Sequence, residues 1–207
     1  MTKTRGRGRP PVTTREAVED VAMTLFEQRG IENTTVVDIA EACEMSKTSF
    51  FRYFSSKNEI LWGPFETMVQ RMDETLRTMP EDRPIMEALR EVIRDQVEIE
   101  AQRAEAWIRR FKFQNTEEQR PLSLVNWGRW EGVVLEFVRE RSHAPDRNLI
   151  PFTVAGALRG AMRAFLRNWG LSGNTDVTNL LPDFDEQLDP VFSGLAVYVG
   201  RIPNGRV

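Results

Sequence analysis

Ser46, Lys47, Thr48 and Ser49 follow one another in the chain, with Tyr53 and Lys57 shortly beyond and Thr35 shortly before. Hydroxyl groups exchange hydrogen bonds with base edges or phosphate oxygens, and an ammonium pairs with phosphate. No acidic residue lies between Met45 and Asn58, so the local field is positive although the whole chain carries a formal charge of −3. A second basic group, Arg5, Arg7 and Arg9, alternates with Gly6 and Gly8. Arginines on a glycine-rich arm fit the narrow minor groove without steric conflict. The plainer account of that arm is a solubilising tail. Together these residues make double-stranded DNA the expected partner.

A different chemistry is spread over the later part of the chain. Trp62, Phe65, Met68, Trp107, Phe111, Trp127, Trp130, Phe165 and Trp169 supply large apolar surfaces. Side chains of this kind build ordinary cores. They also wall apolar cavities, where a few polar groups such as Asn115 or Asn126 orient a small apolar or amphipathic ligand. Arg159, Arg163 and Arg167 stand four apart, either as a solvated face or as an anchor for an anionic ligand. Nothing suggests catalysis. His143 is the only histidine and Cys43 the only cysteine, so neither a nucleophile–base pair nor a metal set is expected, and no cofactor is implied.

The elements that position these groups read as helices. Alternation of period two is almost absent, whereas the 3.6-residue period recurs along nearly the whole chain. The fold class expected is all-α with about nine helices. Residues 1–12 form a flexible basic arm, 13–60 a three-helix unit, and 61–207 a larger helical domain. Helix one starts after Thr13 or Thr14 and stops at Gly30. Helix two follows Thr35, and a turn through Glu44 and Met45 leads to helix three, capped by Ser46. Phe50, Phe51 and Phe54 should lock helix three onto a small core. Ser56 and Glu59 form a capping box for helix four, with Pro64 in its first turn or at a kink. The later helices follow Pro84, carry Trp107, begin near Pro121, run from Val154 to Trp169, and begin near Asp189 and Pro190. The last two, helices eight and nine, are separated by a loop over 170–182. No run of ~20 apolar residues is present, so no membrane span is expected. The basic start lacks the apolar segment of a secretory signal, and a lone cysteine fits a reducing cytoplasm.

The stretch Val36–Phe54 has the proportions of a helix-turn-helix, in which the second helix enters the major groove. The run from Thr34 through Cys43, then Met45-Ser46, then Ser49 through Glu59, resembles the DNA-binding domain of the TetR family of repressors, over Arg15 to Leu61. That resemblance implies a homodimer joined through helices eight and nine, a palindromic operator, and a ligand whose binding releases DNA. Thr48 and Ser49 depart from the glycine and threonine common in the family at these positions. Phe50 through Phe54, Ser56-Lys57-Asn58 and Trp62-Gly63 are also similar to the mycofactocin-associated branch, which implies an acyl-CoA ligand. The alternative is a helical small-molecule-binding or adaptor protein whose helix-turn-helix is vestigial.

Overall fold

A computed structural model describes residues 14–143, 148–172 and 177–200. The expected arm, with Arg5, Arg7 and Arg9, lies outside the described residues, as do 144–147 of the loop before helix eight. Among the described residues every regular element is a helix: α1 Arg15–Arg29, α2 Val36–Ala42, α3 Lys47–Phe51, α4 Lys57–Thr78, α5 Ile85–Ala101, α6 Ala104–Gln114, α7 Arg120–Ser142, α8 Ile150–Ser172 and α9 Leu180–Val199. None of these helices is long and apolar enough to cross a membrane. The chain divides into two compact units, Met1–Gly63 and Pro64–Val207. α4 starts in the first and continues in the second. Pro64 removes one i→i−4 hydrogen bond there without ending the helix.

In the first unit, short-range caps set each helix boundary. Thr14 Oγ1 accepts from the N–H of Ala17 at 3.2 Å to start α1. Gly30, at φ 82°, ends it and returns its N–H to the carbonyl of Phe26. α2 opens on a reciprocal capping box: Asp38 N–H donates to Thr35 Oγ1 at 3.1 Å, and Thr35 N–H donates to Asp38 Oδ2 at 2.7 Å. Beyond α2 the N–H of Glu44 bonds Glu41 and that of Met45 bonds Ala40, a Schellman motif with Glu44 in the left-handed region at φ 54°. Ser46 Oγ then accepts from Ser49 N–H at 3.0 Å and starts α3. At α4, Ser56 Oγ accepts from Glu59 N–H at 3.3 Å, but Glu59 Oε2 accepts from Ser55 N–H at 2.6 Å. The expected box therefore closes one residue early.

These turns gather Val18, Ala22, Phe26, Ile39, Cys43, Phe50 and Ile60 into a core with no or almost no exposed surface. Each large apolar side chain so buried contributes about 1.5–3 kcal/mol. One expectation fails here. Phe51 is 47% exposed and does not lock α3. α3 spans only five residues, so Phe50 takes the inward position and Phe51 points a third of a turn away. Phe54 lies past the helix end, yet it is buried, with its ring 5.5 Å from that of Phe50.

The second unit pairs α7 with α8 and α5 with α9. α9 begins at Leu180, about two and a half turns before the expected start near Asp189 and Pro190, and α8 persists to Ser172. Leu180, Phe184, Leu188 and Phe192, four apart, are all buried, so the apolar stripe starts at Leu180. Pro182 falls in the first turn, where a missing N–H costs nothing. Ion pairs fix the same register: Arg90 of α5 bonds Asp189 at 2.6 Å and Asp185 at 2.9 Å, and Arg94 bonds Asp185 at 3.0 Å.

Candidate nucleic-acid interface and ligand cavity

On the first unit, Lys47 and Thr48 of α3 are exposed and Ser49 is half-buried. Ser46 is exposed too, but its oxygen is committed to the cap and lies 3.0 Å from Ser49 Oγ. Lys47 Nζ sits 5.8 Å from the Phe51 ring centroid, which gives the exposed ring a cationic neighbour. The Thr35 hydroxyl donates to Asp38 Oδ2 at 2.6 Å while accepting from Asp38 N–H. Lys57 is placed differently from the sequence expectation. Its Nζ donates to the carbonyls of Ile31 at 2.6 Å and Thr34 at 3.2 Å, tying α4 to the α1–α2 loop. An ammonium has three N–H groups, so one remains for a phosphate.

Arg15 is a participant that the sequence reading missed. Its guanidinium donates to the carbonyl of Tyr53 and to Glu59 Oε1 at 2.8 Å, and lies 4.2 Å from the Phe54 ring centroid. It therefore clamps the segment that follows α3. Partners 44 residues apart leave no local pattern to find. Burial raises the affinity of Glu59 for its proton, but the bonds from Arg15 and Ser55 outweigh it and hold this carboxyl below its usual value. Asp38 is also held below the usual range, by the hydroxyl and then the backbone N–H of Thr35.

The second unit holds a cavity of about 40 Å³ that opens to solvent. Of the side chains singled out in the sequence, Phe65 and Met68 of α4, Trp107 and Phe111 of α6, Trp127 and Trp130 of α7, and Trp169 of α8 line it. Their rings interlock: Phe65 lies 5.1 Å from Trp127, and Trp107 lies 4.9 Å from Trp169, centroid to centroid. Two others do not line it. Trp62 belongs to the first unit and is buried there. Phe165 packs edge-on to Phe184 at 5.7 Å, as core. Gly170 makes the α6–α8 contact possible, since a Cβ on it would stand 2.4 Å from Phe111 Cδ1.

Asn115 and Asn126 are not among the lining residues. Asn115 donates to the Phe111 carbonyl at 2.8 Å, and Asn126 to that of Leu122 at 3.0 Å, while Asn126 Oδ1 is buried without a partner. The polar side chains in the wall are Gln96, Glu100 and Gln114. Arg71 of α4 donates from Nε to Gln96 Oε1 at 2.7 Å and from Nη2 to Glu100 Oε1 at 3.2 Å. Gln96 had a signal in the sequence, because it interrupts the apolar stripe of Leu89, Val92, Ile93 and Val97. In the arginine stripe, Arg159 pairs with Glu131, and Arg163 lies 5.8 Å from the Trp127 ring centroid.

Two family models match this chain, one within each unit. Residues 20–61 match the family model of bacterial regulatory proteins of the tetR family, and residues 83–196 match that of the MftR C-terminal domain. A Mycobacterium tuberculosis protein named as a mycofactocin biosynthesis transcriptional regulator, MftR, is 28% identical over 84% of this chain and 88% of its own. The HTH-type transcriptional regulator TcmR of Streptomyces glaucescens is 28% identical over 85% of this chain and 81% of its own. Among solved structures, Thermus thermophilus FadR, a TetR family transcriptional repressor in complex with lauroyl-CoA, aligns at a TM-score of 0.53 and 20% identity, covering 94% of this chain and 98% of that one. A transcriptional regulator from Aquifex aeolicus VF5 aligns at 0.52, also at 20% identity, over 90% of this chain and 99% of its own. These likenesses show the shared all-α fold, and the family models, one of them spanning more than half of the sequence, place the chain in the TetR family of bacterial transcriptional regulators, with a C-terminal domain of the MftR type.

Proposed function

We propose that this chain is a ligand-responsive repressor that binds a palindromic operator as a homodimer in the cytoplasm. The observation that carries the reading is the pairing, in one chain, of an exposed Lys47 and Thr48 on a helix-turn-helix with a separate aromatic cavity. Lys47, Thr48, Ser49 and Tyr53 would meet the major groove, with Thr35, Ser46 and the remaining N–H of Lys57 at its edge. Arg5, Arg7 and Arg9 would reach the minor groove. Phe152 on α8 and Val197 on α9 are large apolar side chains left half or more exposed, which supports dimerisation through these two helices. A two-fold dimer sets its recognition helices about 34–36 Å apart, one turn of B-DNA.

The ligand is a small apolar or amphipathic molecule. An acyl-CoA is the first candidate, because the Thermus relative is described in complex with lauroyl-CoA. α4 carries residues of both units, so a ligand that prefers one setting of α4 shifts the population competent for DNA. Selection of bound fragments from genomic DNA tests the whole reading. The expected result is enrichment of a palindrome whose binding weakens steeply with salt. Absence of any enriched sequence would leave the vestigial-motif alternative in its place.

A further inference from the structure

We propose that the cavity recognises an uncharged carbonyl oxygen on its ligand, through the side-chain amide of Gln96. The inference rests on the reading that this cavity is the ligand site. The orientation of the Gln96 amide is constrained. A guanidinium can only donate, so the oxygen of Gln96 must face Arg71 Nε, 2.7 Å away. The amide N–H2 is thereby fixed on the other side of the group. Gln96 is only 6% exposed and lines the cavity, and its nitrogen has no hydrogen-bond partner among the described residues. The nitrogen is not sealed from water, so its two donors open onto the cavity and take an acceptor there. The cavity's 40 Å³ holds about three waters at roughly 10–15 Å³ each, and these can serve. A ligand that expels them must supply an oxygen of its own.

The charge balance at the wall determines what kind of oxygen. Arg71 is matched by Glu100, 3.2 Å away, so there is no surplus positive charge to hold a carboxylate. An anionic head beside Gln96 would face the carboxylate of Glu100, and a cationic head would find that carboxylate already engaged by Arg71. Apart from Gln114, the remaining wall is apolar, with Trp107, Trp127 and Trp130 in it. A neutral acceptor on an apolar chain meets all of these conditions. Esters, thioesters, amides and ketones qualify, whereas free fatty acids and alkylammonium ions do not. Gln96 is thus the binding residue, and Arg71 is a positioning residue that stops the amide from turning over.

Three probes with one chain length and different heads test this on the full chain: methyl decanoate, decanoate and decylammonium, each titrated against tryptophan fluorescence at neutral pH. The ester is expected to bind about ten-fold more tightly than either ion, and Gln96→Leu to erase that preference. Arg71→Met should lower the ratio of ester to alkylammonium affinity, because the amide can then turn over and Glu100 stands unmatched, which mere loss of a structural contact would not do. Equal binding of all three probes, or an ester preference that persists in Gln96→Leu, overturns the inference alone. Failure of all three probes to bind overturns the cavity reading and the inference with it. Should Gln96→Leu fail to fold, the three-probe comparison on the unaltered chain still decides.

Discussion

The two units are specified by different kinds of contact. In the first, polar groups three or four residues apart close each helix: Thr14 on Ala17, Thr35 on Asp38, Ser46 on Ser49, Ser56 on Glu59. In the second, rings from α4, α6, α7 and α8 meet across long sequence separations, and the polar contacts at the cavity wall also join distant helices. A unit fixed by local caps should tolerate change on its outer face and fail when its small core is breached. A unit fixed by interlocked rings should be most sensitive to small changes of volume.

The largest effect is expected from Phe50→Ala. Phe50 has no exposed surface, and emptying such a site costs about 3–5 kcal/mol, a large share of what so small a unit can hold. The first unit should melt early while the second stays folded. Circular dichroism at 222 nm should then split into two transitions. Near-ultraviolet ellipticity follows mainly the second, since four of the five tryptophans lie in that unit and only Trp62 lies in the first. One joint transition shifted downward would mean that the units unfold as a single body, and the contrast drawn above would not extend to stability.

Gly170→Ala tests the other side. The added methyl would overlap the Phe111 ring, and relieving such overpacking costs about 1–3 kcal/mol. The second unit's transition should fall by that amount and probe binding should weaken, with operator affinity nearly unchanged at low temperature. A silent substitution would mean that Phe111 turns aside freely and the cavity is less tightly built than its ring contacts imply.

The same contrast explains what could be read from the sequence. The caps were legible because a cap and its target lie within one turn of chain. Type alone picked out Phe65, Trp107 and Trp169 as wall residues, yet it could not separate them from Phe165, which has the same chemistry and fills the core. Arg15 and Arg71 gave no signal, because their partners Glu59 and Gln96 stand 44 and 25 residues away. Pro190 misled the reading of α9, since proline is common at helix starts and the opposing signal, the stripe from Leu180, needed α5 and its arginines for meaning. Phe51 points away because neighbours on a helix stand about 100° apart, so Phe50 and Phe51 cannot both face one small core.

Two substitutions refine the account of the caps with smaller effects of opposite sign. Ser46→Ala removes the cap of α3 and should lower the first unit's stability by about 1 kcal/mol, with operator affinity falling alongside. Glu44→Gly should raise stability by about 0.5–1 kcal/mol, because glycine occupies the left-handed region without the steric cost that glutamate bears at φ 54°. Urea midpoints of the two variants, compared with the unaltered chain, measure both. If Glu44→Gly destabilises, the glutamate side chain makes a contribution in this turn that its backbone geometry does not reveal.

The smallest expected effect is a difference in response to acid. In the first unit, Asp38 and Glu59 are held below their ordinary values of 3.8 and 4.5. A carboxyl depressed by folding contributes stability that is present above its unfolded value and disappears as pH falls through the folded one. Below about pH 4.5, then, the box that starts α2 and the Arg15 clamp should weaken together. In the second unit, Asp95 is shifted upward, first by burial and then by Glu91 and Glu98. Its ionised form opposes folding, so protonation as pH falls through its raised value returns stability. From about pH 4.5 downward the two transitions should therefore move apart, with the first unit's midpoint declining sooner. Asp95→Asn should abolish the second unit's small gain, and Thr35→Ala should blunt the first unit's loss. Parallel decline of both transitions would show that these carboxyls do not govern the acid response and that general charge repulsion does.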